Sequence, residues 1–381
     1  MVDRRSTGTE QTDSPAPLRR GRSRPAVPRP NGEQRPIAAL DLGTNNCRLL
    51  IAAPSGDGFE VIDAFSRPVR LGEGVEHSNI LSEAAQDRAI KALRICASKI
   101  RQHRVGEARI VATEACRRAA NGRSFVRRVT RETGLPMTIV SAEEEARLAV
   151  AGCAPLIDPE AEQLLVFDIG GGSTELIWVD MSHTPASRRQ ALIRCLAPLT
   201  PGSDCDTSRA AAAHVTDWIS VPMGVSTLQD RFRGIEDDAE RFRAMAEHFQ
   251  GRLAPFRPLA SPPGAAAEGK LQIIGVSGTA TTFGALHLGL RSYDRSRVDG
   301  LWLAAERVAA MTERLVALGR EGRARHPGIG ISRAELLVSG AAILTTVLKL
   351  WPVARMRIAD RGLREGMLYS ILRQRMIAAA E

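Results

Sequence analysis

The run Asp168-Ile169-Gly170-Gly171-Gly172-Ser173-Thr174-Glu175 sets a carboxylate at each end of a turn built from glycine and small hydroxyl residues. Glycine lets backbone N–H groups converge on an anion in conformations that other residues avoid. The flanking acids suit a hydrated cation and a polarised water beside a phosphate. An earlier stretch repeats the pattern: Asp41-Leu42-Gly43-Thr44-Asn45-Asn46-Cys47-Arg48. A third, Ser277-Gly278-Thr279-Ala280-Thr281-Thr282, follows the apolar run Leu271–Val276. Each turn alone is a weak signal. Three of them, each directly behind an apolar run, read together as phosphate binding. No G-x-x-x-x-G-K-[ST] stretch occurs, and Glu175 stands where a dinucleotide fingerprint would need glycine.

Other residues add to this chemistry. Arg117 follows a strand end and is able to offer a phosphate two parallel hydrogen bonds. Glu143, Glu144 and Glu145 open a helix whose dipole favours acids there. Ser141 and Glu144 have capping-box spacing, which accounts for Glu144 and leaves Glu145 free to point elsewhere. The seven His residues are scattered, which disfavours a His-based metal site. Carboxylate and phosphate oxygens suit Mg²⁺.

Regular elements must hold these groups. Apolar strands flank both Asp–Gly turns, Ala38–Ile51 around the first and Leu164–Val179 around the second. A phosphate hairpin present twice predicts two related domains facing one cleft. Phe59–Phe65 and Arg67–Leu71 read as strands, Ser82 as a helix start, and Ala108–Ala112 as a strand. Ser124–Thr133 reads as a helix, Met137–Val140 as a strand, and Ser141 as a helix cap. Residues 181–218 look like an irregular surface insertion, Ser220–Gly224 a turn, Ile235–Leu253 a helix and Pro255–Gly269 a loop. Helices near Leu303–Leu318 and Arg333–Leu350, a strand at Met356–Ile358 and a helix from Leu363 complete the chain. The alternation places it in the α/β class.

A chain of 381 residues, 44% hydrophobic, is long enough for two ordinary cores. The formal charge of +9 rests almost wholly on Arg, since Lys occurs only at 91, 99, 270 and 349. With aromatics at 4% and no basic run interleaved with stacking residues, nucleic acid is not expected as a partner. The six cysteines form no C-x-x-C pair, and no apolar run is long enough to span a membrane. A reduced, cytoplasmic protein is expected. Residues 1–35, rich in Pro and Arg, predict a disordered tail.

The phrases beginning at Asp41, Thr113 (T-E-A-C-R-R-A-A-N), Ser141 (S-A-E-E-E-A-R-L), Asp168 and Val276 (V-S-G-T-A-T-T), in this order, carry a resemblance. The chain resembles the exopolyphosphatase/guanosine pentaphosphate phosphohydrolase family of the actin/Hsp70/sugar-kinase superfamily. The resemblance runs from about Pro36 to the end. It implies two ribonuclease-H-like domains around a central cleft, 36–140 and 141–359, with the helix of 360–381 returning to the first. It implies Glu145 as catalytic base, Glu175 as its assistant and Arg117 as a phosphate ligand. Phosphate contacts would also come from Gly43, Thr44, Asn45, Arg48, Gly170, Gly171, Gly172, Ser173, Gly278 and Thr279. Asp41, Asp168 and Glu145 would hold Mg²⁺ or Mn²⁺. Hydrolysis of a terminal phosphoanhydride of inorganic polyphosphate, of the guanosine penta-/tetraphosphate alarmone, or of both is the implied activity. A small-molecule kinase and a non-catalytic alarmone-binding regulator are the alternatives, and a homodimer is left open. Ala142 replaces the usual Gly, Thr227 stands where many members carry Arg, and 181–218 is longer than expected. The C-terminal helical domain of long members, with its extended polyphosphate channel, is expected to be lacking.

Overall fold

The apolar runs around the two Asp–Gly turns become inner strands of two mixed sheets. This computed structural model describes residues 35–56, 58–199, 210–260, 270–329 and 331–380. In the first sheet β1 (Ile37–Leu42) pairs antiparallel with β2 (Asn46–Ser55), which pairs with β3 (Gly58–Pro68). On its other side β1 runs parallel to β4 (Glu107–Ala112), and β4 to the two-residue β5 (Thr138–Ile139). The order is β3-β2-β1-β4-β5.

The second sheet repeats it. There β6 (Gln163–Ile169) pairs antiparallel with β7 (Thr174–Asp180), and β7 with β8 (Val215–Val221). Parallel to β6 lies β9 (Leu271–Val276), followed by β11 (Arg355–Ala359), while β10 (Trp302–Ala304) adds an antiparallel edge. Apart from β10, the order β8-β7-β6-β9-β11 matches the first sheet strand for strand. Both sheets have the ribonuclease-H-like arrangement, so the fold is α/β, as expected.

Helices cover the sheets where local signals place them. Ser82 Oγ accepts the Ala85 N–H at 3.3 Å and starts α1 (Glu83–Gln102), which buries Ala89, Leu93 and Cys96 on the first sheet. After β4 comes the short α2 (Glu114–Arg118). Ser141 Oγ accepts the Glu144 N–H at 3.1 Å and starts α3 (Ala142–Gly152). Only half of the expected capping box forms. The Glu144 carboxylate turns instead to Arg109, whose guanidinium, buried in β4, is the stronger partner.

Two helices tie the sheets together. The first is α3, and the second is the last helix of the chain, Leu363–Ala380. Met367, Leu368 and Ile371 pack with Ile37, Ala39 and Val111 of the first sheet and with Leu148 and Ala151 of α3. Gly366 permits the crossing, because a Cβ there would overlap the Leu148 carbonyl. No described helix is long and apolar enough to cross a membrane.

The structure departs from the sequence reading in several places. Strand β3 ends at Pro68, which has no N–H to extend the ladder, and Val69 and Arg70 donate instead to the Asn45 carbonyl at 2.8 and 3.0 Å. No separate strand covers Arg67–Leu71. The 181–218 segment is not simply irregular: it contains the helix Arg189–Cys195 and most of β8. Ile193, Leu196 and Ala197 are buried, and Arg109, Arg147 and Arg373 reach in to the carbonyls of residues 195–198. The third glycine phrase, read as a turn behind an apolar strand, is the first turn of the helix Ser277–His287. The tail read over residues 1–35 lies, but for Arg35, outside the described residues, as do 200–209 and 261–269.

Candidate active site

The duplication extends to single hydrogen bonds. In the first hairpin the Gly43 N–H donates to the Asn46 carbonyl at 2.9 Å, and in the second the Gly170 N–H donates to the Ser173 carbonyl at 2.9 Å. Across the ladders Asp41 stands opposite Arg48, and Asp168 opposite Glu175. The period of two residues puts each pair's side chains on one face. The tips of the hairpins meet across the cleft. Asn45 Nδ2 donates to Ser226 Oγ at 2.9 Å, and the Ser226 N–H donates to the Gly171 carbonyl at 2.9 Å. Glycine is required where they touch. A Cβ on Gly171 would lie 2.6 Å from Asn45 Nδ2, and one on Gly172 would lie 2.9 Å from Thr44 Oγ1.

Four carboxyls gather beneath the tips, and burial dominates the behaviour of each. Asp168 is pushed up to about 6 by burial, against the pull of Arg48 and with the repulsion of Asp41. Glu175 is pushed up to about 7 by burial, opposed by hydrogen bonds from Ser173 and Ser220, with Asp168 adding to it. Burial and then the Glu175 charge raise Glu145 well above the ordinary range, although Arg117 pulls it down. Burial likewise raises Asp41, with Arg48 and Arg364 opposing. Like charges in a low dielectric favour keeping protons among them.

Arg117, expected as a phosphate ligand, has most of its donors engaged by protein groups. Its Nη1 donates to Glu145 Oε2 at 2.9 Å and to the Val140 carbonyl at 2.9 Å. Its Nε and Nη2 both donate to Glu114 Oε2, at 3.1 and 2.7 Å. The guanidinium is thus a bridge between two carboxylates, with one Nη2 hydrogen left over. Gly278 faces open space at the start of its helix, and Thr279 beside it is buried.

Four residues not singled out in the sequence belong to this cluster. Glu114 shares Arg117, Ser220 Oγ donates to Glu175 Oε1 at 2.8 Å, and Ser226 bridges to Asn45. Ser277 has φ 98, unusual for a residue with a side chain, and its buried Oγ has no partner. Ser277 and Ser220 lie in turns that the sequence shows, but nothing local marks their side chains, or those of Glu114 and Ser226, as parts of one site.

The residues fit a divalent cation only in part. Asp41 Oδ1 is sealed from solvent and has no hydrogen-bond partner, as a carboxylate oxygen awaiting a cation would be. Among the described residues, however, no three His, Cys, Asp or Glu converge to cage an ion, so the expected trio Asp41, Asp168 and Glu145 is not a complete set of ligands. A cation here would draw further oxygens from its ligand and from water, as Mg²⁺ commonly does.

Comparison with known proteins gives the family. The model of the Ppx/GppA phosphatase family matches residues 50–375. The chain belongs to the Ppx/GppA phosphatase family. A curated Haemophilus influenzae protein, named as a candidate exopolyphosphatase, is 26% identical over 352 residues, 92% of this chain and 96% of that protein. The solved Aquifex aeolicus member of the Ppx/GppA family superposes with a TM-score of 0.68 at 26% identity, covering 90% of this chain and 98% of that one. An exopolyphosphatase from Cytophaga hutchinsonii has the same fold, with a TM-score of 0.72 at 23% identity over 89% of this chain and 98% of its own.

Proposed function

We propose that this Ppx/GppA phosphatase hydrolyses the terminal phosphoanhydride of inorganic polyphosphate, of guanosine pentaphosphate, or of both, releasing orthophosphate. The observation that carries the reading is the setting of Glu145. It is a largely buried carboxyl, raised by burial and by Glu175, yet fixed by Arg117 at 2.9 Å beside two glycine turns. Perturbed carboxyls of this kind, in a cleft, mark catalytic acids and bases.

In this mechanism backbone N–H groups of Thr44–Asn45 and Gly171–Ser173, with those at the start of the Ser277 helix, hold the terminal phosphoryl oxygens. Glu145 orients a water for in-line attack and takes its proton. The bond to the bridging oxygen breaks, and the shortened chain leaves. Glu175, held by Ser173 and Ser220, shares the proton with Glu145 as the charge in the cleft changes. Asp41 and Asp168 would hold Mg²⁺ or Mn²⁺, which would offset phosphate charge when bound.

The test measures phosphate release side by side from long polyphosphate, short polyphosphate and guanosine pentaphosphate. Release from at least one of them is expected. Phosphate transfer to a small-molecule acceptor without release to water would favour a kinase. Tight binding of all three without turnover would favour a regulator.

A further inference from the structure

Glu114 is an acid that the hydrolytic reading leaves unused, and it touches two of the groups expected to hold phosphate. Its Oε2 accepts from both Nε and Nη2 of Arg117, at 3.1 and 2.7 Å, and so occupies the planar edge that guanidinium offers to an oxyanion. Its Cγ lies 3.3 Å from the place a Cβ would take on Gly172, in the turn of the opposite sheet. The side chain is only 15% exposed. Thr113, directly before α2, gives no side-chain cap, so Glu114 opens a five-residue helix whose own stability is slight. An ordinary pair of residues three apart along a helix would stand in solvent, whereas this one is wedged between a cationic edge and a glycine turn.

We propose that Glu114 is an internal anion that occupies the phosphate edge of Arg117 and is displaced by substrate, setting how much charge an anion must bring to enter. The inference rests on the phosphate-hydrolysing reading of the cleft and deepens it. A phosphate that takes the Nε–Nη2 edge must displace the Glu114 carboxylate, while Nη1 keeps Glu145 and the Val140 carbonyl in place. Orthophosphate brings only its own charge to this exchange. The end of a condensed phosphate chain brings more, and neighbouring phosphates add contacts of their own. The device therefore favours condensed phosphates as substrate and weakens inhibition by the orthophosphate product. Glu114 acts through Arg117 and is a specificity-determining residue, not a catalytic one.

The test compares wild type with Glu114→Gln, which keeps the shape and removes the charge, and with Glu114→Ala, which removes the group. The inhibition constant for added orthophosphate should fall by roughly tenfold when the competing charge-assisted bonds are gone, and the KM for short polyphosphate should fall by less. Calorimetric binding of tripolyphosphate to the full chain gives the same reading without turnover. Tighter tripolyphosphate binding by the variants supports the inference even if wild type releases no phosphate, a result that would contradict the proposed function alone. A role confined to helix stability would lower the melting temperature and leave anion affinity unchanged or weaker. Folded variants with unchanged or higher KM, inhibition constant and dissociation constant would overturn the inference. A wild-type structure with bound tungstate supplies an independent check. Glu114 should have left Arg117, and retention of both bonds beside a bound anion would refute the displacement.

Discussion

At the residue scale, two neighbouring glutamates differ in what they touch. Glu144 pairs with Arg109, which is 7% exposed and also donates to the Pro198 carbonyl and to Ser370. Glu144→Gln should therefore cost about 1–3 kcal/mol of stability, since it leaves a buried cation with a weaker partner. Chemical denaturation measures this, and a loss below a few tenths would contradict the pairing. Glu175 gives a prediction in pH. Its folded value of about 7 lies above the ordinary 4.5, so the folded state binds its proton more tightly than the unfolded chain does. The resulting stability is fully present below 4.5 and is lost as pH rises through about 7. Glu175→Gln should flatten this decline when unfolding is followed between pH 4 and 8. An unchanged slope would show that Glu175 does not titrate there.

At the element scale, much was legible because local signals and tertiary demands agree. Up to Asp41 and Asp168 the runs Ile37–Leu40 and Leu164–Phe167 are wholly apolar, as strands buried on both faces are, and Ser82 and Ser141 mark helix starts by their side chains. Asp168 and Glu175, read as the two ends of a turn, lie inside β6 and β7, paired across the ladder. What was not legible depends on partners far along the chain. Nothing local says that Glu144 will meet Arg109, or that Arg117 will be divided between Glu114 and Glu145. The three-residue β10 is too short to have a period, and the helix Arg189–Cys195 has no side-chain cap. Gly366 sits inside the last helix, where glycine is costly. Its reason is the crossing with α3. Gly366→Ala should force the Leu148 backbone aside and lower stability by about 1–3 kcal/mol, despite the better helix propensity of Ala. A variant that melts at or above wild type would contradict the close crossing.

At the scale of the whole molecule, one strand arrangement appears twice, and its matching hairpins bring Asp41 from the first and Asp168 with Glu175 from the second to a shared cleft. The Asn45–Ser226 contact closes the tips over it. The proposed mechanism includes a hard divalent cation beside the phosphate, and the unpartnered Asp41 Oδ1 is an oxygen it would take. EDTA should abolish phosphate release and Mg²⁺ or Mn²⁺ restore it. Release that survives exhaustive chelation would contradict a metal requirement.

Whether Glu145 takes the proton from the attacking water, as proposed, is decided by one substitution. Glu145→Gln keeps the shape and an acceptor for Arg117 but cannot take up a proton. Steady-state phosphate release from the preferred substrate, measured for this variant in parallel with Glu144→Gln, should fall roughly 10²–10⁴-fold for Glu145→Gln alone. Turnover by Glu145→Gln within a few-fold of wild type would contradict the account and move the base to another carboxyl of the cleft, with Glu175 first in line.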